Sequence, residues 1–166
     1  MSTYLLYEGK TVGKNEDFSD IIIQIKRLKP LSNCGKGRLA NLYWWLISKE
    51  IYICEIKNKQ TNELMHYTYV MKKSYKFPFM KENDYMIGPS VTPEQFRRQG
   101  LFYRAVVFSE NEITANNKDA NFIGLVREEN MPSRKGLEKC GLVNTGRKFT
   151  KDKIKVYREV IESELI

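Results

Sequence analysis

The sequence predicts one mixed α/β domain, and three observations carry that reading. Two apolar, strand-like runs, Tyr85–Val91 and Phe122–Val126, are each followed by a turn and a helical pattern. This strand–helix alternation is the sequence form of a layered α/β unit. Ahead of them, Glu50–Ile56 and Glu63–Met71 flank the polar turn Lys57–Asn62, which reads as a hairpin. The 166 residues, 42% of them hydrophobic, suffice for one sizeable core without a metal or a disulfide.

The elements follow in order. Tyr4–Glu8 is a short strand candidate. From Phe18 to Leu28 the apolar positions are 18, 21, 22, 25 and 28, a helical spacing that Pro30 stops. Pro30–Arg38, with Asn33, Gly35 and Gly37, is a loop. Leu42–Ile47 is apolar throughout and reads equally as strand or buried helix. The hairpin comes next, then a long connection, Lys72–Asp84, that carries Phe77-Pro78-Phe79-Met80. Tyr85–Val91 is the central strand, and the helix after it runs from Leu101 to about Thr114. Phe122–Val126 is a buried strand, and a short helix follows Asn130. Two strand-like stretches between Phe149 and Val160 surround Lys151-Asp152-Lys153. There is no repeat, low-complexity tract or second domain.

The most informative stretch is Val91-Thr92-Pro93-Glu94-Gln95-Phe96-Arg97-Arg98-Gln99-Gly100-Leu101-Phe102. A strand that ends in an arginine-and-glycine turn and opens a helix is suited to phosphate. The first helical turn has N–H groups without helical partners and a partial positive charge. Gly100 lets the backbone approach a ligand that a side chain would obstruct. Arg97 and Arg98 add full charges at the same place. The bland alternative is an ordinary surface turn with two solvated arginines.

A second motif follows the next strand: Asn130-Met131-Pro132-Ser133-Arg134-Lys135-Gly136-Leu137-Glu138-Lys139-Cys140-Gly141-Leu142. With both motifs in order and a strand between them, residues 50 to 160 resemble the GNAT superfamily of acyl-CoA-dependent N-acyltransferases. Arg97 and Gly100 match the family's pyrophosphate signature, Arg/Gln-x-x-Gly-x-Gly/Ala. Asn130, Ser133, Lys139 and Gly141-Leu142 match its second signature. Phe102 stands where the family usually has Gly or Ala. Leu137 stands where many members have the tyrosine that protonates the leaving thiolate, so that role does not carry over.

The resemblance implies a mostly antiparallel central sheet, splayed at a parallel strand pair, with helices on both faces. It implies acetyl-CoA as co-substrate, lying along the strand that ends at Val91 and Thr92. The pyrophosphate would sit on Arg97, Arg98, Gln99, Gly100, Leu101, Phe102 and Tyr103. Asn130, Ser133 and Arg134 would stand on the opposite wall. A further block, His66–Val70, Lys76–Met80, Asp84 and Ile87-Gly88-Pro89, looks like a subset of GNAT proteins associated with bacterial surface-polysaccharide synthesis. That would make the acceptor a small-molecule amine, a nucleotide-linked amino sugar for example. A protein or peptide amine is the alternative, and a CoA-binding or basic nucleic-acid-binding module without turnover is the reading from another class. The oligomeric state stays open, with a homodimer among the expectations.

Three residues are candidates for chemistry. His66 is the only histidine. Strand alternation puts it with Leu64, Thr68 and Val70, opposite Met65, Tyr67 and Tyr69. It reads as a general base or acceptor contact, or as a histidine with a satisfied hydrogen bond. Asp84 reads as a ligand for a protonated amine or as a turn residue beside Asn83. Ser90 precedes the expected thioester position and reads as a donor or as a small filler.

The remaining features bound the partners. The net charge of +8 comes from scattered lysines without a dense block, so most form a solvated face. The three phosphates of coenzyme A give Arg97, Arg98, Arg134 and Lys135 a partner without invoking nucleic acid. Cys34, Cys54 and Cys140 are odd in number and lack metal spacing, which points to a reducing, cytoplasmic setting and no metal. No stretch has the length of a membrane span, and Met1–Tyr7 carries no leader pattern.

Overall fold

The structure, a computed structural model, describes residues 2–10 and 17–161. Among these residues eight strands form one sheet: β1 Thr3–Gly9, β2 Ile21–Arg27, β3 Ser48–Asn58, β4 Leu64–Ser74, β5 Asp84–Val91, β6 Asn121–Arg127, β7 Val143–Lys151 and β8 Tyr157–Glu159. Three helices accompany them: α1 Arg38–Ile47, α2 Leu101–Asn116 and α3 Met131–Lys139. The spatial order is β2-β3-β4-β5-β6-β1-β7-β8. Every neighbouring pair is antiparallel except β5 and β6, which are parallel. The mixed, mostly antiparallel sheet with one parallel pair is the architecture expected from the sequence.

The helices lie on both faces. One face, under α2 and α3, buries Val70, Tyr85, Ile87, Val106, Phe122 and Leu137. The other buries Ile51, Tyr69, Met71, Phe77, Met86 and Phe149, with Trp44 of α1 packed against it. Consecutive residues of β5 thus serve opposite faces, Tyr85 and Ile87 on one and Met86 on the other, as the two-residue period of a strand requires.

One expected element is different. Residues 21–27 are a strand, not the helix that their spacing predicts. Four of the first five are isoleucine, whose branched side chains suit an extended chain better than a helix. Ile21, Ile23 and Ile25 face the cluster of Ile56, Leu101 and Ala105. Gln24 and Lys26 turn the other way, where both donate to Glu55, at 3.4 and 2.7 Å. Phe18 and Leu28 mimic a helical phase only because they pack outside the strand. Phe18 meets Phe108 edge-on, with ring centroids 5.6 Å apart, and Leu28 is buried on the opposite face. The ambiguous run at 42–47 is the end of α1.

Two irregularities shape the middle of the sheet. Thr68 pairs with Ser90 but Val70 pairs with Ile87, so Gly88 and Pro89 together oppose Tyr69 as a bulge. Gly88 has φ 109°, open only to glycine, and Pro89 has no N–H to offer the ladder. The parallel pairing of β5 with β6 runs from Asp84↔Asn121 only to Ile87↔Gly124. Beyond that point the two strands separate. A smaller register shift between Ile56 and Lys57 inserts Met65. His66 keeps the face of Val70 as expected, but Met65 joins that face too, beside Leu101 and Ala105.

Among the described residues no helix is long and apolar enough to cross a membrane.

Candidate functional site: a cleft at the strand split

The separation of β5 from β6 opens a cleft of about 820 Å³. Ile87–Thr92 forms one wall and Gly124–Arg127 the other. Phe102 at the start of α2, and Asn130, Ser133 and Leu137 of the α3 region, close the side covered by these helices. Gly124 allows the close approach of α3: a Cβ there would lie 2.7 Å from Leu137 Cδ2.

The turn from Thr92 to Gly100 borders the cleft. A short 3-10 turn, Glu94–Phe96, is followed by Arg97, which lines the cleft and donates from Nε to the Thr92 carbonyl at 3.4 Å. Arg98 has φ 65° and Gly100 has φ 71° and ψ 13°, two left-handed residues that reverse the chain into α2. No side chain caps α2, and its first turn carries no acidic residue. The first hydrogen bond of α2 runs from the Arg104 amide to the Gly100 carbonyl at 3.1 Å, so the amides of Leu101 and Phe102 lie ahead of it. A Cβ on Gly100 would meet no heavy atom within 4 Å. The helix thus presents its positive end beside an arginine and an open surface, an arrangement that favours an anion.

The opposite wall is set by a cap. Asn130 accepts from the Ser133 amide at 3.3 Å and so starts α3. Both residues line the cleft.

His66 stands where β4 meets this cleft. Its ring is 1% exposed, Nδ1 lies 2.7 Å from Thr92 Oγ1, and the ring meets Phe102 edge-on. Nε2 is buried without a hydrogen-bond partner among the described residues. Burial pulls the imidazole pKa down to about 4, because the charged form loses its water. Ser90 and Thr68 share a hydrogen bond between their hydroxyls across β4 and β5, and Ser90 lines the cleft.

Several expected residues are placed elsewhere. Asp84 begins β5, at the opposite end from Val91, roughly 23 Å along the strand at 3.3 Å per residue. It is buried and accepts from Asn121 Nδ2 and from the Lys81 amide, both at 2.8 Å. That is a structural clamp at the start of the parallel pair. Arg134 donates to the Tyr7 hydroxyl and to the Glu128 carbonyl, both at 3.0 Å, so its guanidinium is engaged beneath α3. Leu101 is a core residue. Tyr103 packs on the core beneath the Lys139 ammonium, 5.1 Å from the ring centroid. Arg98 and Gln99 are exposed on the turn.

The structure adds Tyr4 and Arg127 to the cleft lining. Their pairing raises the Arg127 guanidinium pKa, the Tyr4 hydrogen bond being the main cause. No sequence signal joined these residues to the cleft, because β1 reaches it only through its place beside β6. Burial pushes the thiols of Cys54 and Cys140 up to about 12, so neither is a ready nucleophile. Among the described residues no group of three His, Cys, Asp or Glu side chains could hold a metal.

No family model matches the sequence, and no curated protein matches it. Solved structures do match. An acetyltransferase of the GNAT family from Colwellia psychrerythraea superposes with a TM-score of 0.57 at 16% identity, over 87% of this chain and 53% of that one. A tandem GNAT protein from the clavulanic acid biosynthesis pathway gives 0.60 at 10% identity, over 87% and 50%. A functionally unknown conserved protein from Staphylococcus epidermidis gives 0.51 at 9% identity, over 95% and 58%. The chain therefore spans about half the length of the structures it matches. With its split parallel pair, its helices on both faces and these likenesses, the chain has the fold of the GNAT acetyltransferases.

Proposed function

We propose that this protein is an acyl-CoA-dependent N-acetyltransferase that acts on the amine of a small molecule. The observation that carries the reading is the coincidence of two features. The β5–β6 split leaves main chain without a strand partner, and the Arg97–Gly100 turn with the positive end of α2 lies at its border. An extended pantetheine with amide groups fits the first, and a pyrophosphate fits the second. Asn130 and Ser133 form the far wall for the same ligand.

In this reading the amine nitrogen attacks the thioester carbonyl carbon. The C–N bond forms, the C–S bond breaks, and the CoA thiolate leaves with the electron pair. The proton lost from nitrogen passes to solvent or to the thiolate. Orientation and main-chain dipoles supply most of the acceleration. An amine with a pKa of roughly 8 is already partly neutral at pH 7, so no strong base is needed. A buried imidazole with a pKa of about 4 is a weak base at neutral pH. We therefore assign His66 to holding Thr92 at the end of β5. Ser90, a hydroxyl that lines the cleft just before the end of β5, is a candidate donor to the thioester or the acceptor. The nucleotide-linked amino sugars are the first acceptors to screen. The three free cysteines suit a cytoplasmic site of action.

Isothermal titration with CoA, followed by a thiol-release assay with acetyl-CoA and a panel of amines, tests the proposal. The expected result is saturable CoA binding and amine-dependent thiol release. Failure of CoA to bind the folded chain rejects the reading.

A further inference from the structure

A second cavity, of about 250 Å³, opens on the other face of the sheet. It shares Ile87, Gly88, Pro89 and Leu125 with the cleft. The two spaces therefore flank the β5 bulge from opposite sides. Met86, Phe77 and Trp44, which belong to the face opposite α2 and α3, form part of its wall. Resting on the acyltransferase reading above, we propose that this cavity is the acceptor site and that it takes compact amines carrying a phosphate or diphosphate group.

Charge carries the argument. Lys36, Lys76 and Lys151 all line the cavity, and among the described residues no acidic one does. None of the three makes an ion pair among the described residues, whereas Lys26, Lys49, Lys73 and Lys148 each face a carboxylate. Lys76 is the decisive one. It is only 9% exposed, and its ammonium lies 4.8 Å from the ring centroids of both Tyr43 and Trp44. Aromatic faces offset part of the hydration the cation gives up, while its nitrogen is not among the fully buried ones and stays open to an anion from the cavity. Among the described residues no carboxylate stands opposite this ammonium. Three lysines from three distant parts of the chain, converging without a carboxylate among the described residues, suit a multiply charged anion better than a single carboxylate. Lysine ammonium groups bind phosphate as point charges. The volume is below the usual range for drug-sized ligands, roughly 300–1,000 Å³, which favours a small head group over a peptide segment. The phosphate changes no bonds. It anchors the acceptor so that its amine reaches the bulge at Gly88–Pro89, which lines both spaces.

The test uses the full chain saturated with CoA, so that the turn at Arg97 is already filled. Inorganic pyrophosphate, O-phosphoethanolamine and ethanolamine are titrated by calorimetry and by tryptophan fluorescence, since Trp44 lines the cavity. Pyrophosphate and O-phosphoethanolamine are expected to bind, with ethanolamine at least tenfold weaker. Lys76→Met should weaken both anionic probes at least tenfold and leave the CoA dissociation constant within twofold. The double variant K36Q/K151Q, made at positions outside the core, should do the same and carries the test if Lys76→Met does not fold. Equal binding of the three probes, anion binding abolished by CoA, or anion binding unchanged in the variants overturns the inference while leaving the acyltransferase reading intact. Lysine-dependent pyrophosphate binding by a chain that does not bind CoA would overturn the acceptor role together with that reading.

Discussion

Replacing Gly100 by valine separates the cost of backbone strain from the cost of a blocked ligand. Gly100 has φ 71° and ψ 13°, and an added Cβ meets no heavy atom within 4 Å. The fold should therefore lose only the left-handed penalty of an L-residue, about 1–2 kcal/mol. For a chain of this size that lowers the melting temperature by about 2–8 °C. The ligand should lose more. The new side chain adds bulk to the open turn ahead of α2, where an anion is expected to dock. Loss of one charge-assisted hydrogen bond is worth about 1.5–3 kcal/mol, or about 10- to 150-fold in CoA affinity. Gly146 supplies the control. It has φ 77°, and its Cβ would also meet nothing within 4 Å, but it lies on β7 and does not line the cleft. Gly146→Val should melt about as early as Gly100→Val and bind CoA within twofold of the parent. Circular dichroism melts and calorimetric titration measure both quantities. Equal CoA affinity in the two folded variants would refute the assignment of the turn to the pyrophosphate.

His66 gives a pH signature. Its folded pKa of about 4 lies below its ordinary 6.5, so above pH 6.5 neither state binds the proton and the group adds no slope. Between pH 6.5 and 4 the unfolded chain binds a proton that the fold excludes, and stability falls by about 3 kcal/mol in total. Urea melts at pH 7 and pH 4.5 should show this loss in the parent and not in His66→Gln; equal losses would place the acid sensitivity elsewhere. Asp84→Ala leaves the Lys81 amide without its acceptor and should cost about 1–3 kcal/mol. CoA affinity in the folded variant should stay within twofold, and a larger loss would return Asp84 to the functional site. Asn130→Ala removes the cap of α3 and should cost about 1 kcal/mol, seen as a melting point lower by about 2–4 °C; an unchanged melting point would show that the cap contributes nothing.

The strand-to-helix turns were legible because their chemistry is local. Gly100 and Asn130 act within a few residues of where they stand in the chain, and the turn at Gly100 and the short helix after Asn130 are observed as expected. The isoleucine-rich strand β2 was misread because positions 18, 21, 22, 25 and 28 satisfy a helical period by accident of two flanking residues. Its β-branched composition was the better signal. The bulge was foreshadowed by Gly88-Pro89 inside a strand pattern, but its effect, the shift of Ser90 onto Thr68, depends on the partner strand. Asp84 and Arg134 could not be judged without their partners, Asn121 and Tyr7, which lie 37 and 127 residues away. The convergence of Lys36, Lys76 and Lys151 is likewise a property of the tertiary structure alone.

The split between β5 and β6 also bears on aggregation. A sheet is most adhesive along its open edges, where unpaired main chain can recruit a strand from another molecule. Here the outer edges are β2, which ends in Lys26 and Arg27, and β8, which is only three residues long. The third edge is internal. Past Ile87 and Gly124 each strand turns a flank without a strand partner toward the other, but that flank is recessed beneath Phe102 and Leu137. The molecule thus carries part of its unpaired backbone inside the sheet, set back from the short or charged strands at its rim.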